Sequence, residues 1–511
     1  MSVSPVVEVS SGRLRGLAGR RAQAFLGIPF AQPPIDELRF RPPVAPAPWG
    51  GVRPATSFGA AAPQIVMAAG SFLRPLIGAS AEGQSQDCLT LNVWTPAADA
   101  AKRPVLVWIH GGAFVLGTGA SGLYHGASTA QRGDVVVVTL NYRLGVLGFL
   151  NHPELRERGL APNLGVLDQI RALEWVRENI EAFGGDPDNV TVFGESAGGM
   201  SVGTLLATPR AEGLFHRAIL QSGALHHVAS EAHAARVAEY LLDALGLTPE
   251  DAEAVRHARV SELVRAQQQA ALRAGFGEGS LPWSPSVDDD LLPRTGVEAL
   301  AKGAVARVPV LVGSNRDEWR LFTLFDPRTR RLDAAGLRGR LARMLGDEDA
   351  AQAALDLYAE TGRADARRPL RVWEAIQGDR VFHHPAQRAA DALSAAGLPT
   401  WRYLFSWRPP LLGERVGACH GLELPFVFGS IRSLPWLRRS LGLSPGARQL
   451  SRAMQDAWIH FARDGTPQCV ALPEWPAYLA EDRLVLDLKP GPRVLRAPFA
   501  AESEFWRPRL G

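Results

Sequence analysis

Five short stretches of the chain consist almost entirely of apolar residues and are bounded by turn residues. They lie at positions 105–109, 135–140, 190–193, 218–220 and 308–312, and weaker stretches follow at 401–405 and 484–488. A continuous apolar run of this length is typical of a buried parallel strand, because helices cover both faces of such a strand. The pattern therefore predicts a mostly parallel sheet.

Helical periodicity separates these apolar runs. The clearest example has apolar residues at steps of three or four over 167–183, and two glycines then end the pattern. Strands that alternate with helices predict an α/β fold whose ligands bind beyond the carboxyl ends of the strands. Two helix-rich regions, 231–275 and 332–398, are interpreted as insertions over one large sheet, so residues 1–511 are expected to form a single domain.

Three loops rich in glycine, proline and aromatic residues are candidates for the walls of a binding-site entrance. They occupy positions 67–86, 275–285 and 429–445. Loops carry binding residues more often than the elements that they connect. Five aromatic residues are predicted to contribute to the walls: Phe114, Trp283, Trp319, Phe322 and Phe325.

Composition and charge narrow the class of protein. The chain has 511 residues, of which 46% are hydrophobic and 21% charged, as is typical of a globular protein with a large core. The net charge is only +3 and basic residues are interleaved with 52 acidic ones, so no basic stripe indicates nucleic-acid binding. No apolar run approaches the ~18 residues that span a bilayer, and Glu8 interrupts the segment where a signal peptide would be apolar. A cytoplasmic protein with no membrane partner is expected.

The cysteines indicate the same compartment. Cys88, Cys419 and Cys469 are odd in number and far apart along the chain. This arrangement suits a reducing compartment and offers no zinc site. Neither a metal nor a cofactor is expected.

The most informative segment is the run of small residues around Ser196. Gly194-Glu-Ser-Ala-Gly-Gly199 follows an apolar stretch at 189–193 and precedes a helical pattern at 200–207. A strand, a sharp turn and a helix are the setting in which a G-x-S-x-G sequence exposes a nucleophilic serine. Small neighbours are needed because the strand and the helix approach closely at such a turn. A tight turn with an idle serine is the alternative, but the setting favours a nucleophile.

A nucleophilic serine needs a histidine as base and an acid that orients this histidine. In hydrolases with this turn, the acid and then the histidine follow the serine along the chain. His383 and His384 begin a helical pattern, which suggests a capping or surface role, and His460 lies inside a predicted helix, where we expect it to pack. His420 is the best candidate because it follows a strand through a loop and has glycine beside it.

The acid should lie at the end of an earlier strand. The apolar run at 308–312 leads into Asp317 and Glu318. Neighbouring side chains of an extended turn point in different directions, so only one of the two can meet the imidazole. The residues themselves leave the choice open.

A second strand runs into glycines at His110-Gly-Gly-Ala-Phe114. Such a loop can donate backbone N–H groups to a tetrahedral intermediate. His110 precedes the serine, so we expect it to hold the shape of the loop rather than to act as the base. A phosphate-binding loop is the alternative for two glycines after a strand, but the chain contains no Gly-Lys pair that could supply a Walker-type lysine.

Taken together, these motifs resemble those of the type B carboxylesterases, which include bacterial p-nitrobenzyl esterase-like enzymes and the cholinesterases. The similarity covers nearly the whole chain. Besides the segments around His110 and Ser196, it includes residues 25–34, 38–43, 87–94, 141–145, 163–169 and 221–223.

The resemblance implies an α/β-hydrolase fold, in which a large, mostly parallel sheet has helices on both faces and helical insertions form the entrance to the active site. It implies that Ser196 is the nucleophile, that Glu318 is the acid and that His420 is the base. No cofactor or metal is implied.

The resemblance also extends to the surroundings of these three residues. It implies an oxyanion hole formed by the backbone N–H groups of Gly112, Ala113 and Ala197. Glu195 and Ser222 match family positions near the histidine and are expected to act through water or hydrogen bonds. A charge at a helix N-terminus and a turn residue are their alternative roles.

Some positions depart from the family pattern. Gln86 stands where the family usually has Glu, so a structural ion pair with an arginine at 39–41 is expected to be replaced by a neutral hydrogen bond. Asp36 replaces a usual glycine, and Trp319 follows the acid where glycine is common, which affects loop shape. Cys88 corresponds to a disulfide cysteine of secreted relatives, but no cysteine precedes it, so that disulfide is expected to be absent.

The sequence thus predicts a serine carboxylesterase that forms an acyl-enzyme on Ser196 and acts on a small-molecule ester with a short or aromatic group. The protein is expected to be a monomer or a small homo-oligomer. Amide or carbamate hydrolysis is an alternative, because the same three residues serve all these reactions. A non-catalytic cholinesterase-like binding protein is a further alternative, but the presence of all three residues speaks against it.

Overall fold

The computed structural model describes residues 4–65, 83–275, 280–324, 326–411, 413–432 and 444–510. A sheet of eleven strands, in the order β14-β13-β12-β11-β10-β9-β7-β8-β6-β4-β3, forms its centre, and a three-stranded sheet, β1-β2-β5, lies apart from it. The strands are β1 Val6–Val9, β2 Gly12–Arg15, β3 Leu17–Ala18, β4 Gln23–Pro29, β5 Val52–Pro54, β6 Thr90–Thr95, β7 Arg103–Ile109, β8 Val136–Leu140, β9 Gly185–Glu195, β10 Arg217–Gln221, β11 Val310–Asn315, β12 Thr400–Phe405, β13 Leu484–Leu488 and β14 Arg493–Arg496.

Helices connect the strands and form the insertions. The α-helices are α1 Ala127–Gly133, α2 Gly145–Phe149, α3 Pro153–Glu157, α4 Leu164–Asn179, α5 Ala197–Leu206, α6 Glu231–Leu245, α7 Ala252–His257, α8 Val260–Arg273, α9 Gly296–Ala301, α10 Arg320–Thr323, α11 Ala334–Leu345, α12 Glu348–Glu360, α13 Pro369–Gly378, α14 His384–Ala395, α15 Gly413–Val416, α16 Leu424–Val427, α17 Pro445–Asp464 and α18 Ala500–Trp506. A π-helical turn, Asp379–His383, joins α13 to α14. Short 3-10 turns lie at Asp36–Leu38, Gly122–Tyr124, Ile180–Phe183, Pro209–Ala211, Pro249–Asp251, Thr329–Arg331, Ser430–Arg432 and Arg507–Arg509.

The parallel part of the sheet was predictable from the apolar runs. All seven stretches coincide with strands, and the strands from β8 to β13 pair in parallel. Along β7, side chains alternate between two large apolar clusters. One cluster contains Val105, Val107 and Ile109, and the other contains Leu106 and Trp108. Both faces of this strand are therefore buried, which explains its continuous apolar sequence.

The register of the central strands determines where the site forms. Ile109 at the end of β7 pairs with Gly194 of β9, and Gln221 at the end of β10 pairs with Glu195. The strands β11 and β12 continue in parallel beside β10. The segments that follow these strands therefore emerge at one edge of the sheet, as expected for an α/β protein.

The helical predictions are also confirmed in outline. The helix predicted at 167–183 is α4 with the following 3-10 turn, and Gly184 closes it with a φ of 79°. The insertions predicted at 231–275 and 332–398 contain α6 to α8 and α11 to α14. The interpretation of residues 1–511 as a single domain stays a prediction.

Several predictions for individual side chains are wrong. His383 and His384 are not surface or capping residues, because each is only 2% exposed and neither side chain caps α14. The π-helical turn ends at His383, and α14 begins at His384, so a regular helical pattern does not describe the first of these positions. His460 is half-exposed instead of packed, and its side chain is 42% accessible opposite Asp464.

The predicted hydrogen bond of Gln86 is also wrong. Its buried Oε1 has no hydrogen-bond partner within the described part of the chain. Arg39 donates instead to the carbonyl oxygens of Arg256 and Ala258, at 2.7 and 2.8 Å. Arg39 and Gln86 nevertheless line the same small cavity of about 10 Å³.

Part of the predicted entrance lies outside the described residues. This holds for positions 66–82 and 276–279, for 433–443 and for Phe325. Among the helices that the structure does describe, none combines the length and apolar character needed to cross a bilayer.

Candidate active site

Ser196 occupies a sharp turn between β9 and α5. Its φ of 57° and ψ of −127° lie outside the regions that residues with a side chain normally adopt. A Cβ atom on Gly198 would lie 2.0 Å from the carbonyl oxygen of Ile109, and one on Gly194 would lie 2.4 Å from the carbonyl carbon of Gly198. The glycines of the motif are therefore required by the close approach of strand and helix.

His420 faces the carboxylate of Glu318. Its Nδ1 lies 2.7 Å from Oε2 of Glu318, which is fully buried. The other carboxylate oxygen accepts hydrogen bonds from the hydroxyl of Ser222 and from the backbone N–H of Asn315, each at 2.7 Å. Three donors thus fix the orientation of this carboxylate.

Asp317 was the other candidate for the acid, but its carboxylate makes different contacts. Its carboxylate accepts a hydrogen bond from the backbone N–H of Ala418 at 2.9 Å and pairs with Arg320 at 3.1 Å. Burial would raise the pKa of Asp317, but Arg320 and the Ala418 N–H outweigh this effect and lower the pKa. Asp317 therefore anchors the loop that carries His420.

Glu195 approaches the other side of the histidine. Its Oε1 lies 3.1 Å from Nε2 of His420, although neither atom has a hydrogen-bond partner among the described residues. Burial raises the pKa of Glu195; the positive charge of a protonated His420 opposes this effect, and the carboxylates of Glu423 and Glu318 raise the pKa further. Burial would lower the pKa of His420, but Glu195 and Glu318 outweigh this effect and raise the pKa to about 9.

The glycine loop after β7 lies against the serine turn. A Cβ atom on Gly111 would be 2.5 Å from the carbonyl oxygen of Glu195 and 3.0 Å from Cβ of Ser196. Gly112 and Ala113 both have positive φ, of 116° and 54°. Their N–H groups donate to no other backbone or side-chain group in the described ranges.

His110 has the supporting position that the sequence suggested. Its ring stacks on Tyr142 with centroids 4.5 Å apart, and its Nδ1 lies 2.8 Å from the carbonyl oxygen of Gly111. Burial lowers the pKa of His110 to about 4, so the ring is neutral at physiological pH. Its contacts with Gly111 and Tyr142 therefore stabilise the shape of the loop.

Comparisons with known proteins identify the family of this chain. The sequence model of the carboxylesterase family matches residues 3–506. This chain belongs to the carboxylesterase family. It is 40% identical to the para-nitrobenzyl esterase of Bacillus subtilis (strain 168) over 486 residues, which cover 94% of each chain. It is 35% identical to the phenmedipham hydrolase of Pseudarthrobacter oxydans over 495 residues, which cover 95% of each chain.

The structure of this carboxylesterase is similar to solved structures of the family. A crystal structure of the carboxylesterase from Geobacillus stearothermophilus superposes with a TM-score of 0.85 at 42% identity, covering 98% of this chain and 99% of the other. The fold is the α/β-hydrolase fold, and the chain is a carboxylic ester hydrolase. Neither amide or carbamate hydrolysis nor a non-catalytic role is favoured over this activity.

Sequence reasoning missed several polar residues of this carboxylesterase site. Glu423 is fully buried and accepts hydrogen bonds from Asn315 Nδ2 at 2.5 Å and from Gln221 Nε2 at 3.1 Å. Burial and the charge of Glu318 raise the pKa of Glu423. Its position three residues after His420 in a helical turn was the only available signal.

Some of the aromatic residues predicted to form the entrance lie near His420, and others make contacts elsewhere. Phe322 lies 5.2 Å from the ring of His420 and contacts Trp319, so both belong to the surroundings of the carboxylesterase site. Phe114 packs against Phe149, and the indole of Trp283 donates to the carbonyl oxygen of Gln267. A residue that the sequence did not indicate, Phe382, lies 4.8 Å from the His420 ring.

Proposed function

We propose that Ser196, His420 and Glu318 form the catalytic triad of this esterase. Oγ of Ser196 attacks the ester carbonyl carbon while Nε2 of His420 takes the hydroxyl proton. The tetrahedral intermediate collapses as His420 returns this proton to the leaving alcohol, which leaves an acyl group on Ser196. Water then attacks the acyl carbon with the help of the same imidazole and releases the acid.

The observation that carries this proposal is the contact of His420 Nδ1 with Glu318 at 2.7 Å. An acceptor at Nδ1 fixes the tautomer in which Nε2 is free to accept a proton. Glu318 accepts two further hydrogen bonds and is fully buried, so it stays in place during proton transfer. Asp317 cannot share this role because its carboxylate is bound to Ala418 and Arg320.

The same proposal assigns the oxyanion hole to the N–H groups of Gly112, Ala113 and Ala197. The first two have no acceptor among the described residues, and Ala197 is the first residue of α5. N–H groups at a helix start have no partner within the helix, and the helix dipole favours negative charge there. Donors that are positioned before the reaction stabilise the oxyanion without reorganisation.

Two further residues have supporting roles in the proposal. Ser222 donates to Glu318 at 2.7 Å and so orients the acid. Glu195 lies 3.1 Å from Nε2 of His420 and favours the imidazolium that forms when Ser196 loses its proton.

The proposed substrate is a small ester with a short or aromatic group. The exposed ring of Phe322, next to His420, supports an aromatic contact. The name of the Bacillus subtilis relative, para-nitrobenzyl esterase, points to the same class. Rates with p-nitrophenyl esters of increasing acyl length test this point, and we expect the short esters to react fastest.

We further propose a location in the cytoplasm. All three cysteines are free and buried, which supports a reducing compartment. The proposed reaction uses side chains, backbone N–H groups and water and requires no cofactor or metal. A monomer or small homo-oligomer stays a prediction.

A fluorophosphonate probe tests the triad directly. The probe should modify one serine, and peptide mass spectrometry should locate the adduct on Ser196. Ser201, which lies in α5 shortly after Ser196 and is fully buried, serves as the internal comparison. Ser196→Ala should lose labelling and turnover and keep the thermal melting curve of the wild type. Labelling of another serine, or turnover in this variant, would contradict the proposal.

A further inference from the structure

A buried charged cluster lies behind Glu318 and is not used by the proposed mechanism. It consists of Arg363, Asp379 and His383, and both Asp379 and His383 are at most 2% exposed. These two residues begin and end the π-helical turn between α13 and α14. Single π-helical turns inside helices are frequent at functional sites.

Asp379 contacts both of the other residues of the cluster, Arg363 and His383. Its Oδ1 accepts a hydrogen bond from Nη2 of Arg363 at 2.8 Å and lies 2.6 Å from Nδ1 of His383. Burial would raise the pKa of Asp379, but Arg363 and the contact with His383 outweigh this effect and lower the pKa to about 2. The carboxylate is therefore ionised and holds both side chains in fixed orientations.

The two side chains that Asp379 holds reach consecutive carbonyl groups. Nε2 of His383 lies 2.7 Å from the carbonyl oxygen of Asn315, and Nη2 of Arg363 donates to the carbonyl oxygen of Arg316 at 3.2 Å. Asn315 is the last residue of β11, and Arg316 begins the loop that leads to Glu318. The cluster thus fixes the chain at the point where it leaves the sheet.

His383 is linked to the proposed acid through a single residue. The Asn315 carbonyl contacts His383, while the Asn315 N–H donates to Oε1 of Glu318 at 2.7 Å. Nδ1 of His383 lies 2.6 Å from Oδ1 of Asp379 and 3.4 Å from Nη2 of Arg363, while Nε2 meets the Asn315 carbonyl, so contacts at both ring nitrogens fix the orientation of the ring. The preceding residue, Phe382, contacts the ring of His420 with centroids 4.8 Å apart. One turn therefore supports both the acid and the base.

We propose that His383 is a positioning residue of the esterase, which holds Glu318 against His420 by fixing the carbonyl group of Asn315. This inference rests on the proposed triad. A displacement of about 1 Å in a catalytic group can lower the rate about 100-fold. Loss of the His383 contact should therefore lower kcat, with little change in KM because His383 does not touch the substrate.

Three variants of His383 differ in whether the side chain has an N–H donor and in how far this donor extends. His383→Gln retains an N–H donor that can reach the Asn315 carbonyl, His383→Asn is one methylene shorter, and His383→Leu has no donor. The control is His384→Leu, because His384 is equally buried but its ring nitrogens have no hydrogen-bond partner in the described chain. Rates are divided by the number of active sites titrated with a fluorophosphonate, which removes any effect of partial unfolding.

We expect kcat per titrated site to fall at least about 10-fold in His383→Asn and His383→Leu. His383→Gln should retain most of the wild-type value, and His384→Leu should match the wild type whatever its melting temperature. If His383→Leu does not fold, the proposal is tested by comparing kcat per titrated site in His383→Gln and His383→Asn. Equal kcat per site in these two variants, or in His383→Leu and His384→Leu, would overturn the proposal.

A double-mutant cycle with Glu318→Gln separates this inference from the triad on which it rests. If His383 acts through Glu318, adding His383→Leu to Glu318→Gln should lower kcat no further. Additive losses would overturn the positioning role while leaving the triad intact. Wild-type kcat in Glu318→Gln alone would instead show that the triad assignment is wrong, and the role of His383 would fall with it.

Discussion

The carboxylate of Asp317 accepts a hydrogen bond from the backbone N–H of Ala418 at 2.9 Å, and the Asp317 N–H donates to the carbonyl oxygen of Ala418 at the same distance. Two hydrogen bonds therefore join the end of the acid loop to the histidine loop. Two adjacent acidic residues thus have separate tasks, since Asp317 joins the loops and Glu318 meets the imidazole.

These tasks predict different effects of two conservative substitutions. Glu318→Gln should keep the melting temperature near that of the wild type but lower kcat by about 10⁴-fold, as the equivalent acid-to-amide change does in a serine protease. Asp317→Asn should lower kcat less than about 10-fold and should lower the melting temperature, because it weakens the bonds to Arg320 and Ala418. Measurement of kcat with one p-nitrophenyl ester decides the matter, and the reverse pattern would reassign the acid.

The pH dependence of kcat/KM should report the charge of Glu195. Protonated His420 cannot accept the Ser196 proton, so activity rises as the pH passes the pKa of the free enzyme's histidine. Glu195 and Glu318 raise that pKa above the usual 6.5, so the acid limb of the profile should lie above pH 6.5. Glu195→Gln removes one of these charges and should shift the limb to lower pH.

A surface variant controls for the change in net charge. Glu181→Gln removes an exposed carboxylate after α4 and should leave the profile unchanged. An equal shift in both variants, or no shift in Glu195→Gln, would contradict the assigned effect of Glu195.

The cysteines should be inert in the folded protein. All three are buried and free, and burial raises the pKa of Cys88 and of Cys419, which makes the reactive thiolate scarce. A thiol reductant should change neither kcat nor the melting temperature. Iodoacetamide should label the cysteines only after unfolding, as mass spectrometry can measure. A fall in either property on reduction would reveal a disulfide.

Gln86→Glu should stabilise the fold. Arg39 Nε and Gln86 Oε1 are both buried without hydrogen-bond partners in the described chain, and both residues line the cavity of about 10 Å³. A carboxylate there can accept from the guanidinium, which should raise the free energy of unfolding by about 1 kcal/mol. Gln269→Glu adds the same charge at an exposed site in α8 and should have no such effect. Thermal melts that do not distinguish these variants would contradict the prediction.

The fold could be predicted from the sequence where one physical cause dominates. Burial of both faces imposes continuous apolar runs, so the parallel strands from β8 to β13 were identifiable. The strands β4 and β6 were not, because they pair in antiparallel fashion near the sheet edge and β4 contains a register shift between Phe25 and Ile28. The turn at Ser196 was identifiable because it leaves no room for a side chain at positions 194 and 198.

The remaining site residues depend on contacts between distant parts of the chain. The choice between Asp317 and Glu318 depends on their contacts with Ala418 and Ser222. These contacts cannot be predicted from the sequence around the two acidic residues. His383 was misassigned because a helical pattern predicts a regular helix, whereas a π-helical turn points the imidazole at β11. The family resemblance indicated Glu318 as the acid, and the structure shows the contacts that orient its carboxylate.

The placement of the site along the chain has a consequence for synthesis. Ser196 and the glycine loop after β7 leave the ribosome well before His420, and β13, which flanks β12 in the sheet, comes later still. If the proposed triad is correct, a chain that ends before His420 has Ser196 but no base, and we expect it not to cleave esters. Two fragments separated between β11 and β12 should each be silent, and ester cleavage after mixing them would signal their reassembly. Ester cleavage should therefore indicate that the segments carrying Ser196 and His420 have assembled.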